Sequence, residues 1–209
     1  MKLLVLNYKQ ELNWDLVDKK LLSDFQIEVL NENKGWNFWY KLMKVLTKNK
    51  YDLVVHWGLA GGKEKSQLWR IYLINRAFFS DWQKIFDGVK YRYVEKLAEQ
   101  FWISDMLTNI VTKIKIGAHS SIIYDFWNIY DLESFWVANI TNFFSFPIFT
   151  FKGVSDLNDV SFFRISEEQE IEYLLKPSLR RNKKKLILEK LQKIIDELTV
   201  KFIDILKKI

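Results

Sequence analysis

The sequence predicts an α/β layered fold with a largely parallel or mixed sheet, and three observations predict it. Short β-rich runs alternate with stretches of helical spacing over one chain. One run, residues 51 to 57, leads straight into a glycine cluster at Gly58, Gly61 and Gly62, which places glycines at the C-terminal end of a strand, where a missing Cβ lets a ligand approach the backbone. The last segment, Leu186 to Ile209, carries Leu188, Leu191, Ile195, Leu198, Phe202, Ile205, Leu206 and Ile209 on one face, the pattern of a long structural helix. With 209 residues and 49% hydrophobic content, residues 1 to 209 suffice for one sizeable core and read as a single domain.

Taken in order, residues 2 to 7 form a first buried strand, and Asn7 to Gln10 form the loop that leaves it. Glu11 to about Ser23 reads as an approximate amphipathic helix through Leu12, Val17, Leu21 and Leu22. Alternation of Phe25, Ile27 and Val29 with polar residues predicts a strand over 25 to 31. Trp39, Leu42, Met43 and Leu46 predict a helix over 36 to 46, after the break at Gly35. Residues 69 to 79 form another strand, and 88 to 94 a two-faced strand that suits an edge or a cover. A short helix over 97 to 107, a strand over 111 to 117 and a loop over 118 to 129 follow. Asp131 and Glu133 then open a helix that runs to about Phe144, and Pro147 introduces a buried strand ending at Lys152, with Asp156 just beyond it. Residues 157 to 169 read as irregular, and 167 to 175 as a turn or two of helix.

Composition narrows the chemistry. The absence of cysteine excludes disulfides, thiolate catalysis and cysteine-ligated metal sites, and it fits a reducing cytoplasm. The apolar run from Leu3 to Leu6 is too short for a leader or a membrane span, so no membrane association is expected. A net charge of +6 favours anionic ligands only weakly. The basic run Arg180, Arg181 and Lys183 to Lys185 reads as a solvated helix start, because no nucleic-acid recognition motif accompanies it. His56 reads as a satisfied core or rim histidine, and two distant histidines without cysteine make no metal site.

The chemistry-bearing feature is therefore a pair of acids at element ends: Glu133 at a helix start and Asp156 after a strand, positions from which two side chains can converge on one ligand. In each case a bland reading stands beside it, a helix-dipole partner for Glu133 and a turn residue for Asp156.

Several of these stretches, in this order, resemble the nucleoside phosphorylase and nucleosidase superfamily, and within it most closely the 5′-methylthioadenosine/S-adenosylhomocysteine nucleosidases. Asp131-Leu132-Glu133-Ser134 resembles the family's acid-Met-Glu segment; Phe146-Pro147 through Val154-Ser155-Asp156 resembles its strand ending in Ser-Asp; Tyr51 to Val55 with Gly58 to Gly62 resembles its strand and Gly-x-Ala-Gly-Gly turn. The likeness covers roughly residues 1 to 82 and 111 to 159. It implies a three-layer α/β/α fold with a central mixed sheet, and hydrolysis of a purine nucleoside's N-glycosidic bond. Under that resemblance Asp156 protonates the purine at N7, Glu133 holds the ribose hydroxyls, and Glu11 orients or deprotonates the attacking water. Leu132, Ser155, Gly58, Ala60, Gly61 and Phe151 would line the substrate, and Tyr124 would supply a stacking ring. The resemblance further implies no metal and no cofactor, a small-molecule purine nucleoside as the partner, no nucleic acid, a homodimer, and a place in methionine salvage.

The pattern is also departed from. Leu59 replaces a small hydroxyl residue, Trp69-Arg70 replaces Gly-Asp, Ser80 replaces the His before Asp81, and the passage from Gly117 to Asp131 is short. A purine nucleoside phosphorylase, a futalosine-type hydrolase and a nucleoside-binding relative with weakened or lost catalysis are the alternatives. Phosphorolysis is disfavoured because the Gly-Asp-Pro-x-x-Arg loop of the hexameric phosphorylases is absent after the first strand.

Overall fold

Residues 1–31, 35–62, 67–80, 86–113, 129–140, 143–144, 146–157 and 177–209 are described by the computed structural model. Among them, eight strands form one mixed sheet, accompanied by four α-helices. The strands are β1 (Lys2–Leu6), β2 (Phe25–Val29), β3 (Leu53–Gly62), β4 (Ile71–Ser80), β5 (Val89–Lys90), β6 (Leu107–Lys113), β7 (Ile129–Asp131) and β8 (Ile148–Leu157). The helices are α1 (Gly35–Leu46), α2 (Val94–Gln100), α3 (Ser134–Ile140) and α4 (Pro177–Leu206). The mixed α/β class expected from the sequence holds.

Strand β3 is the hub. On one side it pairs in parallel with β1, and where β1 stops, Gly61 and Gly62 pair antiparallel with β7. On its other side it pairs in parallel with β8 along its length. Since β8 also pairs with β4, β4 with β6 and β6 with β7, the strands β3, β8, β4, β6 and β7 close a ring. Closure hides edges that would otherwise be open to pairing. The two-residue β5 pairs antiparallel with β4 at the outer end, the edge place its two-faced sequence suggests.

Alternation along β3 and β8 sends successive side chains to opposite faces. On one face Trp57 stacks on Phe202 of α4 at 4.2 Å between ring centroids, and Phe151 lies 5.9 Å from the same ring. On the other, His56 lies 5.2 Å from Phe38 of α1, and α1 in turn packs on α3. Helices thus cover both faces of these strands.

Several boundaries differ from the sequence expectation. Glu11 to Ser23 is not an α-helix; single 3₁₀ turns occur at Lys9–Glu11, Trp14–Leu16 and Leu21–Asp24. Asn13 caps one of them, its side chain accepting from the amide of Asp15, and such local side-chain bonds compete with a continuous helix. The glycines of 58 to 62 lie inside β3 rather than in a turn beyond it, because β8 runs on to Leu157 and keeps pairing with them past a bulge at Ala60/Gly61. Asp156 is consequently a strand residue opposite Gly61, not one just beyond the strand. Asp131 ends β7, so the helix starts only at Ser134 and is described to Ile140. The helix expected over 97 to 107 divides into α2 and a 3₁₀ turn at Ser104–Met106 before β6 begins. The C-terminal helix begins at Pro177, earlier than its apolar face suggested. The expected irregular and helical stretches within 158 to 176 and most of the loop over 118 to 129 lie outside the described residues, as does the end of the strand expected over 111 to 117.

Candidate functional site

The site grows from one register row. Leu6 pairs with Trp57, so Asn7 follows β1 beside Gly58, and Gly58 pairs with Lys152. Lys152 is wholly buried, which a charged lysine rarely is without compensating charge. Its Nζ lies 2.9 Å from Asp131 Oδ2 and 3.1 Å from Glu133 Oε2. Gly58 makes this possible: a Cβ there would sit 2.6 Å from Nζ and 3.3 Å from Asn7 Nδ2.

Asp131 does two jobs at the end of β7. Its carboxylate accepts from the Ser134 amide at 3.0 and 3.2 Å and from Ser134 Oγ at 2.5 Å, capping α3. It also accepts from Thr112 Oγ1 at 2.8 Å, while Thr112 Oγ1 accepts from the Phe135 amide at the same distance. With both ends of the turn tied down, Glu133 is held against the sheet.

Glu11 reaches the same cluster from the turn after β1. Its Oε2 accepts from the amides of Asn7 and Tyr8 at 3.0 and 3.1 Å, and its backbone carbonyl accepts from Trp57 Nε1 at 2.9 Å. Burial pushes the Glu11 carboxyl up to about 7; Lys152 opposes that rise and Glu133 adds to it. Burial likewise pushes Glu133 up to about 7, with Lys152 pulling down and Asp131 pushing up. For Lys152, burial alone favours the neutral amine, but Asp131, Glu133 and Glu11 more than offset it, so the ammonium is retained. Three carboxyls around one ammonium leave the cluster with spare proton-binding capacity near neutral pH.

A chain of buried polar groups lies behind Glu133. The Asn7 side chain acts on Glu133 in the direction that lowers its pKa. Asn7 Oδ1 is 3.1 Å from His56 Nε2, His56 Nδ1 is 3.3 Å from Thr150 Oγ1, and the Tyr91 hydroxyl donates to the Ser134 carbonyl at 2.8 Å. Burial pulls the pKa of His56 well down and Lys152 adds to it, so the ring is neutral. His56 is thus the satisfied buried histidine that its sequence context suggests.

Of the sequence-derived site residues, Glu11 and Glu133 are brought together around Lys152, and Gly58 lies beside Lys152. Ala60 and Gly61 lie farther along β3; a Cβ on Gly61 would fall 2.1 Å from the Tyr130 ring, so that glycine admits Tyr130. Leu132 is half-buried at the bend before α3, and Ser155 is buried at the bulge of β8. Asp156 is placed by its backbone, and its side chain lies outside what is described. Phe151 is fully buried against Phe202 on the opposite face from Lys152, a core position. Tyr124, together with Phe126, His119 and Asp81, lies outside the described residues. Sequence reasoning missed Lys152, Asn7 and Asp131 as site members. A lysine in the middle of the apolar run 148 to 154 was the available signal for the first.

No protein-family model and no curated protein matches the chain. Solved structures do match in fold. A 5′-methylthioadenosine/S-adenosylhomocysteine nucleosidase from Campylobacter jejuni aligns with a TM-score of 0.66 at 11% identity, over 99% of this chain and 97% of its own. A Borrelia burgdorferi B31 protein assigned as the same kind of nucleosidase, bound to adenine, aligns with a TM-score of 0.66 at 15% identity over the whole of both chains. The Arabidopsis thaliana 5′-methylthioadenosine nucleosidase aligns with a TM-score of 0.62 at 14% identity, over 99% and 94%. The resemblance first seen in short sequence blocks therefore holds along the whole chain, at the level of the fold.

Proposed function

We propose that this protein hydrolyses the N-glycosidic bond of a purine nucleoside, such as 5′-methylthioadenosine or S-adenosylhomocysteine, and releases the free base. The observation that carries this reading is the convergence of Glu11 and Glu133, from distant parts of the chain, on one buried cluster around Lys152. Structural convergence alone could be a buried ion pair, but such a pair needs one acid per base. Here three acids surround one lysine, and both Glu11 and Glu133 are poised near neutrality, where a group can exchange protons in catalysis.

In this reading Glu133 accepts hydrogen bonds from the ribose hydroxyls and steadies the positive charge that grows on the sugar as the bond breaks. Glu11, as carboxylate, takes a proton from the attacking water. Asp156 gives its proton to N7, so the purine leaves as a neutral base. It stands four residues beyond Lys152 on β8, and at about 3.3 Å per residue that separation leaves room for a nucleoside between the sugar-side acids and the base-side acid. Gly58, Ala60, Gly61, Leu132 and Ser155 border this path, and Tyr124 would supply the ring over the purine. A homodimer acting in the cytoplasm belongs to the same reading.

Hydrolysis is favoured over phosphorolysis by the cluster's charge. The Lys152 ammonium is already committed to Asp131 and Glu133, with Glu11 acting on it as well. A phosphate dianion placed there would meet excess negative charge. The test is release of free base from 5′-methylthioadenosine, S-adenosylhomocysteine, adenosine and inosine, with and without phosphate. Release is expected without phosphate, reduced about 10²- to 10⁴-fold in Asp156→Asn and in Glu133→Gln, with folding intact by circular dichroism. Release only with phosphate, yielding ribose 1-phosphate, would overturn hydrolysis; nucleoside binding without any release would favour a binding-only relative.

A further inference from the structure

We propose that Thr112 is a positioning residue for Glu133: its hydroxyl holds one oxygen of Asp131 away from Lys152, so that the single ammonium serves Glu133 as well.

Strand register brings Thr112 to this place. Thr112 of β6 pairs in parallel with Asp131 of β7, so the two side chains leave the same face one strand spacing apart, about 4.8 Å. Thr112 is wholly buried. Its bonds fix their own direction. The Phe135 amide only donates, so Thr112 Oγ1 accepts from it at 2.8 Å; the Asp131 carboxylate only accepts, so the one hydroxyl hydrogen goes to Asp131 Oδ1, also at 2.8 Å.

The two oxygens of Asp131 are divided between partners. Oδ1 takes the Thr112 hydroxyl, whereas Oδ2 lies 2.9 Å from Lys152 Nζ and accepts from Ser134 Oγ at 2.5 Å. Asp131 therefore meets the ammonium through one oxygen, and Glu133 Oε2 meets the same ammonium at 3.1 Å. A buried carboxylate deprived of a donor turns toward the nearest positive charge, because an unmet oxygen is costly where water is excluded. Without the Thr112 hydroxyl that charge is Lys152, and Asp131 takes it with both oxygens at the expense of Glu133. The Phe135 amide, two residues after Glu133, loses its acceptor in the same step.

This role is separate from capping α3, for which Ser134 supplies its own amide and hydroxyl to Asp131. Tyr91 gives the contrast: its hydroxyl donates to the Ser134 carbonyl at 2.8 Å and so braces the same turn through the backbone. Thr112 touches no substrate in this arrangement and acts through Asp131. The kinetic consequence rests on the nucleosidase reading, whereas the hydrogen-bond arrangement does not.

The test is a ¹³C-carboxyl NMR titration of Glu133 in the ligand-free protein, which needs no turnover. The charged groups that act on Glu133 are Lys152, Asp131 and Glu11, and all stay in place in the variants used. Thr112→Val, nearly isosteric, is expected to weaken Glu133 as an acid about tenfold, as loss of its share of a charged hydrogen bond does. Thr112→Ser keeps the hydroxyl and is expected to titrate like wild type. Thr112→Cys, whose thiol donates only weakly, keeps the fold if Thr112→Val does not, and shifts Glu133 in the same direction by less. Tyr91→Phe is expected to lower the urea midpoint and leave the Glu133 titration in place. If Glu133 titrates unchanged in folded Thr112→Val or Thr112→Cys, or moves as far in Tyr91→Phe as in the Thr112 variants, the positioning role is wrong. In the base-release assay, Thr112→Val should raise KM more than it lowers kcat, and Thr112→Ser should recover most of the loss. A wild-type protein that releases no base would sink the nucleosidase reading while leaving the titration free to decide the role of Thr112.

Discussion

The two faces of β3 and β8 are made by neighbouring residues yet obey different physics. Toward α4, Trp57, Phe151 and Phe202 stack in an apolar core; toward α1 and α3, His56, Thr150 and Lys152 enter a polar cluster that is just as buried. A change on the apolar face costs stability in proportion to the volume it removes. The polar face is different: its members hold one another, so removing one leaves the others uncompensated. A residue on the first face contributes stability, and one on the second contributes arrangement.

Two substitutions of similar expected cost would break that comparison most forcefully. Lys152→Met leaves Asp131, Glu133 and Glu11 without their cation and should destabilise the fold by about 3–5 kcal/mol near neutral pH, read from urea denaturation. Phe202→Ala should cost about 3–5 kcal/mol as well, through the cavity beneath Trp57 and Phe151. They part company with pH. The Lys152→Met loss should shrink at pH 5, where Glu11 and Glu133 take up protons, while that of Phe202→Ala should not change. Equal pH dependence would mean that the polar cluster is no more than core.

The wild-type protein offers a gentler version. Glu11 and Glu133 titrate near 7 in the folded state against 4.5 ordinarily. Between those values the folded chain binds more protons than the unfolded one, so stability falls as pH rises through about 4.5 to 7. The urea midpoint should be higher at pH 5 than at pH 8, and Glu11→Gln should flatten the difference. A midpoint that rises over this window would contradict the raised carboxyls.

The smallest effect is expected from Gly58→Ala, about 1–3 kcal/mol from crowding Lys152 Nζ and Asn7 Nδ2. Its value lies in selectivity. It should disturb the Glu133 titration and leave the near-ultraviolet signal of the Trp57 and Phe202 stack in place.

Much of the fold was legible because hydrophobic patterning reports burial directly. The runs that became β1, β2, α1, β3, β4 and α4 stood out, since each presents an apolar face or a fully apolar core. The stretch after Glu11 misled because the spacing of Leu12, Val17 and Leu21 matches a helix loosely, whereas Asn13 and its neighbours settle into separate turns. At the site, Glu133 was visible as an acid at an element end, and Glu11 only through the family resemblance. Lys152 was not, because a strand lysine in a sequence shows neither its depth nor its partners.

What the sequence determined by itself was the class of fold and an acid, Glu133, at the entry to a helix, because residue type, spacing and element ends are local properties. Only the tertiary structure decided that β8 runs on past Lys152 beside β3, that the strands close into a ring, and that Asn7, Gly58 and Lys152 share one row. Register is a relation between strands far apart in the chain. The same relation brings Glu11 and Glu133 to one buried lysine, and from there the charges decide the chemistry together.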